Sequence, residues 1–493
     1  MVVGAGFGGL GCALALCELG LKPHVIEALK YPGGCASTFT RGGVRFESGA
    51  TLFSGLGDAQ LFGRWIDRYA LPVTREFLDP VVELRTPADT VRVTRDREAF
   101  VEQMARRAGS ASKAERVRAF FAFQKRVADA LWSVLDAPEL LPPFGVSSLL
   151  RHARGAGAYL PLLRILGRPL IDVLRRFGVA DVAALRVWAT ALCQITVQCP
   201  PEEAEAAVAL SALDYAWRGT GHVHGGIGEL AVALSRAVTA QGGGVYFTER
   251  ALQIDRREDG TFLIRTSRGE RRARVIVLNV LPQDARALLG RWVEETRTLA
   301  RLEREVRGGW GAAMLYLVAR APPQLSDSAR HLELVADPKA PFIEGNHVFA
   351  SIGSADEPRG AVAEGFRTIT VSTHVRAGAL EGASHESQSG YVASVQSRMR
   401  ATLGALAPEW MIDVERSLPA SPRTFQRFTR RSGGFVGGVP RRAGLSHYLR
   451  LAPVEVARGA WLVGDSVFPG QSILATAVGG TQVARMIARR LQR

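Results

Sequence analysis

Cysteine is scarce in this chain, with five residues among 493. The five are odd in number, no two form a CxxC pair, and none has the spacing of a zinc site. They are Cys12, Cys17, Cys35, Cys193 and Cys199. Because nothing in this pattern suggests a disulfide framework, we expect a reducing compartment. Cys12 and Cys17 fall within a predicted helix, where a thiol serves as a small apolar filler.

Long hydrophobic runs are also missing. No stretch approaches about 18 uninterrupted apolar residues, so we expect no transmembrane span. We also expect no secretory signal, because the first motif begins at residue 2. The apolar content of 47% is nevertheless ample for a real core, and the length suits two or three domains. The composition predicts a globular chain.

Acidic residues are outnumbered, with 47 Asp plus Glu against 62 Lys plus Arg, which gives a net charge of +15. Nearly all of the basic residues are arginine, and the codon preference of a GC-rich genome would explain that excess. The alternative is attraction to an anionic surface, either a membrane or a nucleic acid. Neither zinc-type cysteine spacing nor an aromatic RNA-binding signature accompanies the charge, so we favour a membrane and expect no nucleic-acid partner.

The first stretch, VVGAGFGGL at residues 2–10, has the GxGxxG spacing of a dinucleotide-binding turn. Gly4 permits the tight turn, Gly6 lets the backbone approach a phosphate, and Gly9 lets the following helix pack closely on the sheet. That helix ends near Gly20 and directs its positive end at the anion. Alone, the motif could be a glycine-rich turn of any α/β protein. Val2 and Val3 are the only apolar strand residues between Met1 and the glycines, so either the first strand is short or the chain starts inside it.

An acid follows at the expected distance. The segment PHVIE at residues 23–27 reads as a second strand ending in Glu27, about twenty positions after the glycines, where a carboxylate accepts hydrogen bonds from a ribose. Gly33 and Gly34 follow at the distance where many flavoproteins bring a second glycine pair against the cofactor, a close approach that favours glycine. These two features make a dinucleotide site the better interpretation of the turn.

Together, VVGAGFGGL, PGGCAS at residues 32–37 and FESGATLFSGL at residues 46–56 resemble the carotenoid isomerase and phytoene desaturase group of FAD-dependent oxidoreductases, and most of all its carotenoid isomerase branch. One departure is Ala50, where the family usually has proline. The resemblance implies that FAD is bound by Phe7, Gly8, Ala36 and Ser37 besides the residues above. It also implies that the Ala251 backbone meets the adenine and that the strand of Asn279 lies beside the pyrophosphate helix.

A second motif, GDSVFPGQ, begins at Gly464 after an apolar strand and precedes a helix of small residues. Its simplest interpretation is a tight strand-to-helix turn. In two-motif flavoproteins a Gly-Asp pair at this place holds hydroxyls of the cofactor, and the next helix points its dipole at the flavin. The corresponding pair here is Gly464 and Asp465. The resemblance extends to Gln471, Ser472 and Ile473, with Ser472 where the family tends to have glycine.

Residues 140–171 combine apolar residues with arginines and contain no acid. Such a stretch is typical of an interfacial helix on anionic lipid. An ordinary basic helix over an internal cavity would show the same pattern. The resemblance favours the first interpretation, because enzymes of this group take long polyenes from the bilayer through membrane-facing helices.

No other chemistry competes with a cofactor. His222 and His224 lack a third ligand, and His331, His347, His374 and His385 suggest no cluster, so we expect no metal site. The catalytic residues stay unassigned. Glu47 would lie near the flavin edge, yet its place in the FES turn suits a structural cap equally well.

We therefore predict an α/β, two-domain flavoprotein. A Rossmann-type FAD-binding domain is split into residues 1–80, 202–289 and 424–493. An α+β substrate domain with membrane-facing helices comprises residues 81–201 and 290–423, with residues 140–171 as candidate membrane-contact helices.

The expected activity is isomerisation or desaturation of a long apolar polyene by a peripheral enzyme in the cytoplasm, at the inner face of the membrane. The alternatives are a flavin oxidoreductase of the amine oxidase or retinol saturase type, and a non-enzymatic prenyl-lipid carrier of the same fold. The sequence gives no oligomeric state, chain length of substrate or electron acceptor.

Overall fold

The fold comes from a computed structural model that describes residues 1–49, 51–142, 144–290, 297–323, 325–446 and 448–491. Ala50 lies outside the described residues. Helices and strands are numbered in chain order. The helices are α1 Phe7–Glu18, α2 Leu61–Arg68, α3 Arg97–Arg106, α4 Ala111–Leu135, α5 Val146–Arg154, α6 Ala156–Leu163, α7 Leu170–Arg176, α8 Ala183–Thr196, α9 Ala206–Ala212, α10 Ile227–Ala240, α11 Pro282–Leu289, α12 Arg297–Arg307, α13 His385–Leu406, α14 Pro422–Thr429 and α15 Ile473–Leu491.

The strands are β1 Val2–Val3, β2 His24–Ile26, β3 Thr38–Arg41, β4 Val44–Glu47, β5 Arg75–Glu76, β6 Val82–Arg85, β7 Thr90–Val93, β8 His222–Val223, β9 Gly244–Tyr246, β10 Ala251–Arg256, β11 Phe262–Thr266, β12 Gly269–Ala273, β13 Ile276–Leu278, β14 Gly311–Arg320, β15 Arg330–Val335, β16 His347–Ile352, β17 Phe366–Val375, β18 Val414–Ala420, β19 Val454–Ala457 and β20 Ala460–Leu462.

A six-stranded sheet carries the order β19-β20-β13-β1-β2-β9 and is parallel except at β19. Its central strands are short, buried, apolar runs, as expected when helices cover both faces of a parallel sheet. The two residues of β1 pair with β13 on one side and β2 on the other. Segments that are far apart in the sequence thus meet in one sheet.

Helices from the two ends of the chain cover this sheet together. α1 packs against α15 at backbone distance, because a β-carbon on Gly11 would lie 2.8 Å from the carbonyl oxygen of Ala477. A β-carbon on Gly480 would overlap the carbonyl oxygen of Gly8. Cys12 is fully buried at this contact, and burial raises the pKa of its thiol to about 12, which confirms its role as an apolar filler.

A seven-stranded, largely antiparallel sheet has the order β18-β14-β17-β16-β15-β6-β7. β14 is buried over nine of its ten residues, as its apolar sequence predicts. Its strands all lie within residues 81–201 and 290–423, whereas those of the six-stranded sheet lie within residues 1–80, 202–289 and 424–493. A helical layer built from α3, α4 and α7–α9 has its own core of aromatic and aliphatic side chains. The division into two domains with these boundaries stays a prediction.

Candidate functional site

A cavity of about 1290 Å³ lies between the two large sheets. It begins where β1, β2, β13 and β20 end, which is the edge at which open parallel sheets bind ligands. Of the seventeen residues predicted to bind the cofactor, fifteen line it: Gly4, Gly6, Phe7, Gly8, Glu27, Gly33, Gly34, Ala36, Ala251, Asn279, Gly464, Asp465, Gln471, Ser472 and Ile473. The fold therefore brings both sequence motifs to one site.

The two other predicted residues, Gly9 and Ser37, do not line the cavity. A β-carbon on Gly9 would overlap the carbonyl oxygen of Gly4, so Gly9 is needed for the path of the turn. The Ser37 hydroxyl is buried and donates to the carbonyl oxygen of Gly34 at 2.9 Å. Both residues support the cavity wall without lining the cavity, because their side-chain positions face the protein interior.

The glycine turn leaves backbone donors free for an anion. Helix α1 begins after Gly6 without a side-chain cap, so its first N–H groups have no partner from a capping side chain. The N–H of Gly33 donates to the carbonyl oxygen of Ala5 at 2.9 Å and brings the second glycine pair against the turn. A β-carbon on Gly34 would meet nothing closer than Gly6, at 3.9 Å. This open space is suited to a pyrophosphate.

Glu27 ends β2 as a buried carboxylate. Its Oε2 accepts from the N–H of Ala5 at 2.7 Å, and its Oε1 accepts from the N–H of Leu29 at 2.8 Å. Burial raises the pKa of the carboxyl, and these amide hydrogen bonds oppose the rise. Since each oxygen can accept more than one hydrogen bond, the carboxylate can hold the loop and still accept from a ribose hydroxyl.

Asn279 follows β13 and places its amide over the glycine turn. Its Nδ2 donates to the carbonyl oxygen of Gly4 at 3.4 Å. A β-carbon on Gly8 would come within 2.9 Å of the amide oxygen, and one on Gly464 within 3.0 Å. The side chain of Asn279 therefore bridges the two glycine motifs, a role that its sequence position alone did not reveal.

Asp465 faces Arg431, a residue that the sequence analysis missed. Nη2 of Arg431 lies 2.7 Å from Oδ2 of Asp465, and the arginine Nε donates to the carbonyl oxygen of Phe435. Burial lowers the pKa of the guanidinium, but Asp465 outweighs it and the net shift is upward. Arg431 stays cationic beside the cavity and adds to its attraction for an anion. No motif marks it, because the pair joins residues 34 positions apart.

Unpartnered polar atoms also face the cavity. Within the part of the chain that the structure describes, Thr51 Oγ1, Gln198 Oε1 and Gln471 Oε1 are buried there without a hydrogen-bond partner. The amide nitrogens of both glutamines are engaged, since Gln471 donates to the carbonyl oxygen of Ile195 at 2.6 Å and Gln198 to that of Val436 at 3.2 Å. A buried polar atom without a partner costs about 1–3 kcal/mol. A ligand with hydroxyl and N–H donors, such as FAD, would satisfy them, so the residues present fit this cofactor.

One part of the remaining cavity wall is apolar and comes from other elements, whereas polar and charged residues of the segment 421–432 line another part. Trp188, Leu192 and Ile195 of α8 face Met314 of β14 and Phe349 of β16 in lining it. The cavity thus joins a polar, anion-attracting part to an apolar part. Such a combination can hold a dinucleotide against an apolar substrate.

Three of the histidines that are scattered in the sequence line the cavity. The rings of His222 and His331 lie 5.7 Å apart, and Nε2 of His347 lies 3.1 Å from Oε1 of Glu333. His347, His374 and His385 all line the cavity, and burial lowers the pKa of His374 to about 4. These three histidines belong to β16, β17 and the start of α13, which the fold brings to the wall of one cavity.

The imidazoles of His222 and His224 each face a carboxylate. His222 pairs with Glu357 at 2.7 Å and His224 with Asp356 at 3.4 Å. Over the described ranges, no group of three or more histidine, cysteine or acidic residues could hold a metal ion. Glu47 is buried, and its Oε1 accepts from the N–H of Ile227 at 2.9 Å, so it caps the start of α10. Of the two roles open to Glu47, the structure supports the cap.

The candidate membrane-contact stretch, residues 140–171, forms α5, α6 and the start of α7. Its position 143 lies outside the described residues. Among the residues described, six of the twelve large exposed hydrophobic side chains lie between residues 144 and 163: Phe144, Val146, Leu149, Leu150, Leu160 and Leu163. The sequence suggested that the arginines of this stretch have no counter-charge. For Arg151 this is wrong, because it pairs with Glu139 at 2.7 Å.

The described helices include none that is both long and apolar enough to cross a bilayer. Most of the exposed apolar side chains of residues 144–163 lie on two short helices, the amphipathic α5 and the apolar α6.

Comparisons with known proteins agree with this geometry. The family described as "NAD(P)-binding Rossmann-like domain" matches residues 2–69. Prolycopene isomerase 1, chloroplastic, of an Oncidium hybrid cultivar is 24% identical over 99% of this chain and 83% of its own length. A neurosporene-forming phytoene desaturase of Rhodobacter capsulatus is 46% identical over 52 residues, which are 10% of each chain.

Solved structures share the fold. An oxidoreductase from Methanosarcina mazei superposes with a TM-score of 0.62 at 15% identity, covering 98% of this chain and 99% of its own. A putrescine oxidase gives 0.62 at 15% identity, covering 100% and 98%. The mixed α/β fold with a Rossmann-like domain is thus shown by sequence and by structure.

Proposed function

We propose that this chain, which is similar to prolycopene isomerases and phytoene desaturases, is an FAD-dependent enzyme that isomerises or desaturates a long apolar polyene. The observation that carries the proposal is that one cavity joins the dinucleotide turn to an apolar part of its wall. A polyene has no polar group to bind, so its recognition rests on apolar surface. The apolar side chains contributed by α8, β14 and β16 provide that surface.

Different residues of this chain would hold the different parts of FAD. The start of α1, Gly34 and Arg431 would bind the pyrophosphate, and Glu27 would bind the adenosine ribose. The unpartnered oxygens of Gln198 and Gln471 would accept from flavin or ribityl donors. When bound, FAD supplies the exchange of a hydride or electrons with the polyene. The protein's contribution is to orient the polyene beside that cofactor and to exclude water from the apolar wall.

Access from a membrane completes the proposal. The exposed apolar side chains of residues 144–163, next to exposed arginines, support a peripheral contact with a bilayer surface. A long polyene is insoluble in water, so direct uptake from the bilayer avoids an aqueous step. We propose that residues 140–171 form this contact, within a substrate domain separate from the FAD-binding domain.

The test is turnover by the purified full chain on vesicles. Poly-cis lycopene and phytoene are each supplied under reducing and under oxidising conditions, and the products are separated by chromatography. We expect isomerised product from the first substrate or desaturated product from the second. No change in either substrate under either condition would contradict the proposed activity.

Flavin binding is measured on the same preparation through its absorbance. Gly8→Val places a branched side chain against Asn279 and Gly464, and we expect it to abolish flavin retention. The matched control is Gly404→Ala in α13, where an added β-carbon meets nothing within 4 Å. A wild-type protein that is colourless and binds no added FAD would favour a prenyl-lipid carrier instead.

A further inference from the structure

A second groove lies outside the dinucleotide cavity, between α4 and α6. This α4–α6 groove has a volume of about 990 Å³ and is also lined by Arg176, the last residue of α7, and by Phe177 after it. Its volume is at the upper end of the range of roughly 300–1,000 Å³ that is usual for sites of one small ligand. Neither the sequence motifs nor the dinucleotide site uses it.

The wall of the groove is apolar and its rim is basic. Phe123 and Phe177 form one side, with ring centroids 5.3 Å apart. Leu160 and Leu163 stand at the edge, where 62% and 69% of their surfaces are exposed. The rim then carries three exposed arginines: Arg126, Arg164 and Arg176. An apolar wall below a cluster of positive charge is complementary to an anionic amphiphile.

The three rim arginines lack counter-charge. None of them forms an ion pair with a carboxylate of the residues that the structure describes, whereas neighbouring Arg175 pairs with Asp172 at 3.6 Å. Asp129 also lines the groove, but its carboxylate is engaged by Lys125 at 2.7 Å and by Arg218. The charge at the rim is therefore a net positive one, and like charges held together without a partner favour binding of an anion.

The groove shares side chains with the candidate membrane-contact stretch, because Leu160 and Leu163 of α6 line it and lie within residues 140–171. Leu160 and Leu163 belong to the same set of exposed apolar side chains as Leu149 and Leu150. A polynucleotide would leave these leucines against water or phosphate, whereas a lipid would cover them. Arginine is also suited to phosphate, because its planar group donates two parallel hydrogen bonds.

We propose that the α4–α6 groove binds one anionic phospholipid, with its phosphate between Arg126, Arg164 and Arg176 and an acyl chain along Phe123 and Phe177. Such a site would anchor the protein at a bilayer of defined charge. It rests on the membrane contact in the proposed function, but it requires neither FAD nor polyene turnover.

The experiment uses a short-chain phosphatidylglycerol, dihexanoyl phosphatidylglycerol, below its micelle concentration, so that no membrane is present. Binding to the full chain is measured by calorimetry. We expect saturable binding to one site, and affinity at least about tenfold lower for the triple variant Arg126→Gln/Arg164→Gln/Arg176→Gln. The corresponding phosphatidylcholine should also bind at least about tenfold more weakly, because it carries no net charge.

The matched control removes the same charge elsewhere. Arg257→Gln/Arg272→Gln/Arg274→Gln alters exposed arginines at or next to the strands β10 to β13, and we expect unchanged affinity. Equal losses in the two triple variants would overturn the proposal, since net charge would then explain binding. Inorganic phosphate that competes with the lipid at equal concentration would also overturn it. Should the triple variant fail to fold, the single change Arg164→Gln, at an exposed position after α6, gives the same comparison.

Failure of this proposal is distinguishable from failure of the proposed function. The lipid measurement contains no polyene, and the turnover measurement can be made on zwitterionic vesicles. A chain that turns over a polyene but binds no monomeric anionic lipid would refute the groove alone.

Discussion

The ion pair between His222 and Glu357 shows how a single pair of buried residues stabilises distant segments. Both side chains are fully buried, and Glu357 also accepts from the N–H of Ser354 at 2.9 Å and pairs with Arg359. Burial opposes ionisation of Glu357, but the hydrogen bond from His222 and the charge of Arg359 outweigh it and lower its pKa to about 2. The pKa of His222 is raised despite burial, because Glu357 and Glu47 face it.

These shifts predict a pH window for stability. A depressed carboxyl pKa contributes stability that is present above its ordinary value of 4.5 and is lost as the pH falls toward about 2. A raised histidine pKa contributes stability that is present below 6.5 and is lost as the pH rises through the folded value. We expect Glu357→Gln to lower the free energy of unfolding between pH 4.5 and 6.5 by about 3 kcal/mol and to flatten the profile on both sides.

The measurement is urea unfolding across that range of pH. The matched control is Glu258→Gln, which removes an exposed carboxylate in the turn after β10. A Glu357→Gln variant with the wild-type profile would contradict an ionised pair.

At the scale of elements, the start of α15 combines a favourable and an unfavourable feature. Ser472 has φ of +101°, in a region that side chains with a β-carbon rarely adopt. Its hydroxyl accepts from the N–H of Ala475 at 3.0 Å and so caps the first turn of the helix. The backbone strain costs about 1–3 kcal/mol. Replacing a capping serine by glycine costs only about a few tenths of a kcal/mol.

Strain therefore outweighs the cap, and we expect Ser472→Gly to raise the free energy of unfolding by about 1 kcal/mol. Ser472→Ala keeps the strain and removes the cap, so it should lower the free energy by about 1 kcal/mol. Urea unfolding of the two variants beside wild type tests both signs. If glycine destabilises the protein as much as alanine does, the hydroxyl contributes more than a cap.

At the scale of the whole molecule, half of the large exposed apolar side chains among the described residues lie in one stretch of the chain, residues 144–163. Single exposed leucines are ordinary on any protein surface, but a contiguous group marks an interaction site. The group at residues 144–163 lies on short helices whose remaining exposed positions include arginines. Its apolar side chains and its charges would contribute separately to membrane binding, because only the charges depend on anionic lipid.

We expect Leu149→Ser/Leu150→Ser to weaken binding to zwitterionic vesicles by about tenfold, because each half-exposed leucine loses apolar surface that the bilayer would cover. Zwitterionic lipid removes the charge contribution from the comparison. Sedimentation with vesicles gives the partition of each variant. The matched control is Leu252→Ser/Ile412→Ser, two side chains that are exposed elsewhere. Equal loss in both double variants would contradict membrane contact at residues 144–163.

Several parts of the site could be predicted from sequence because their chemistry is local. The turn at Gly4 and the helix after it depend on glycine spacing and on neighbouring apolar residues. The same holds for the strand that ends before Glu27 and for the motif at Gly464. Short apolar runs predicted the strands β13 and β14 for the same reason, because the burial of a strand depends on the apolar character of its own residues.

Other parts depended on long-range contacts. Arg431 beside Asp465, the cap made by Glu47 and the pairing of His222 with Glu357 join segments whose separation carries no periodic signal. Gly9 and Ser37 have family-like positions, yet they shape the wall instead of lining it.

The sequence by itself thus determined where the chain turns and which runs are buried, because backbone freedom and apolar periodicity are properties of adjacent residues. Only the tertiary structure decided which polar groups meet, because the partner of a buried charge is chosen by packing between elements that lie 34 to 180 positions apart in the chain for the three pairs named above.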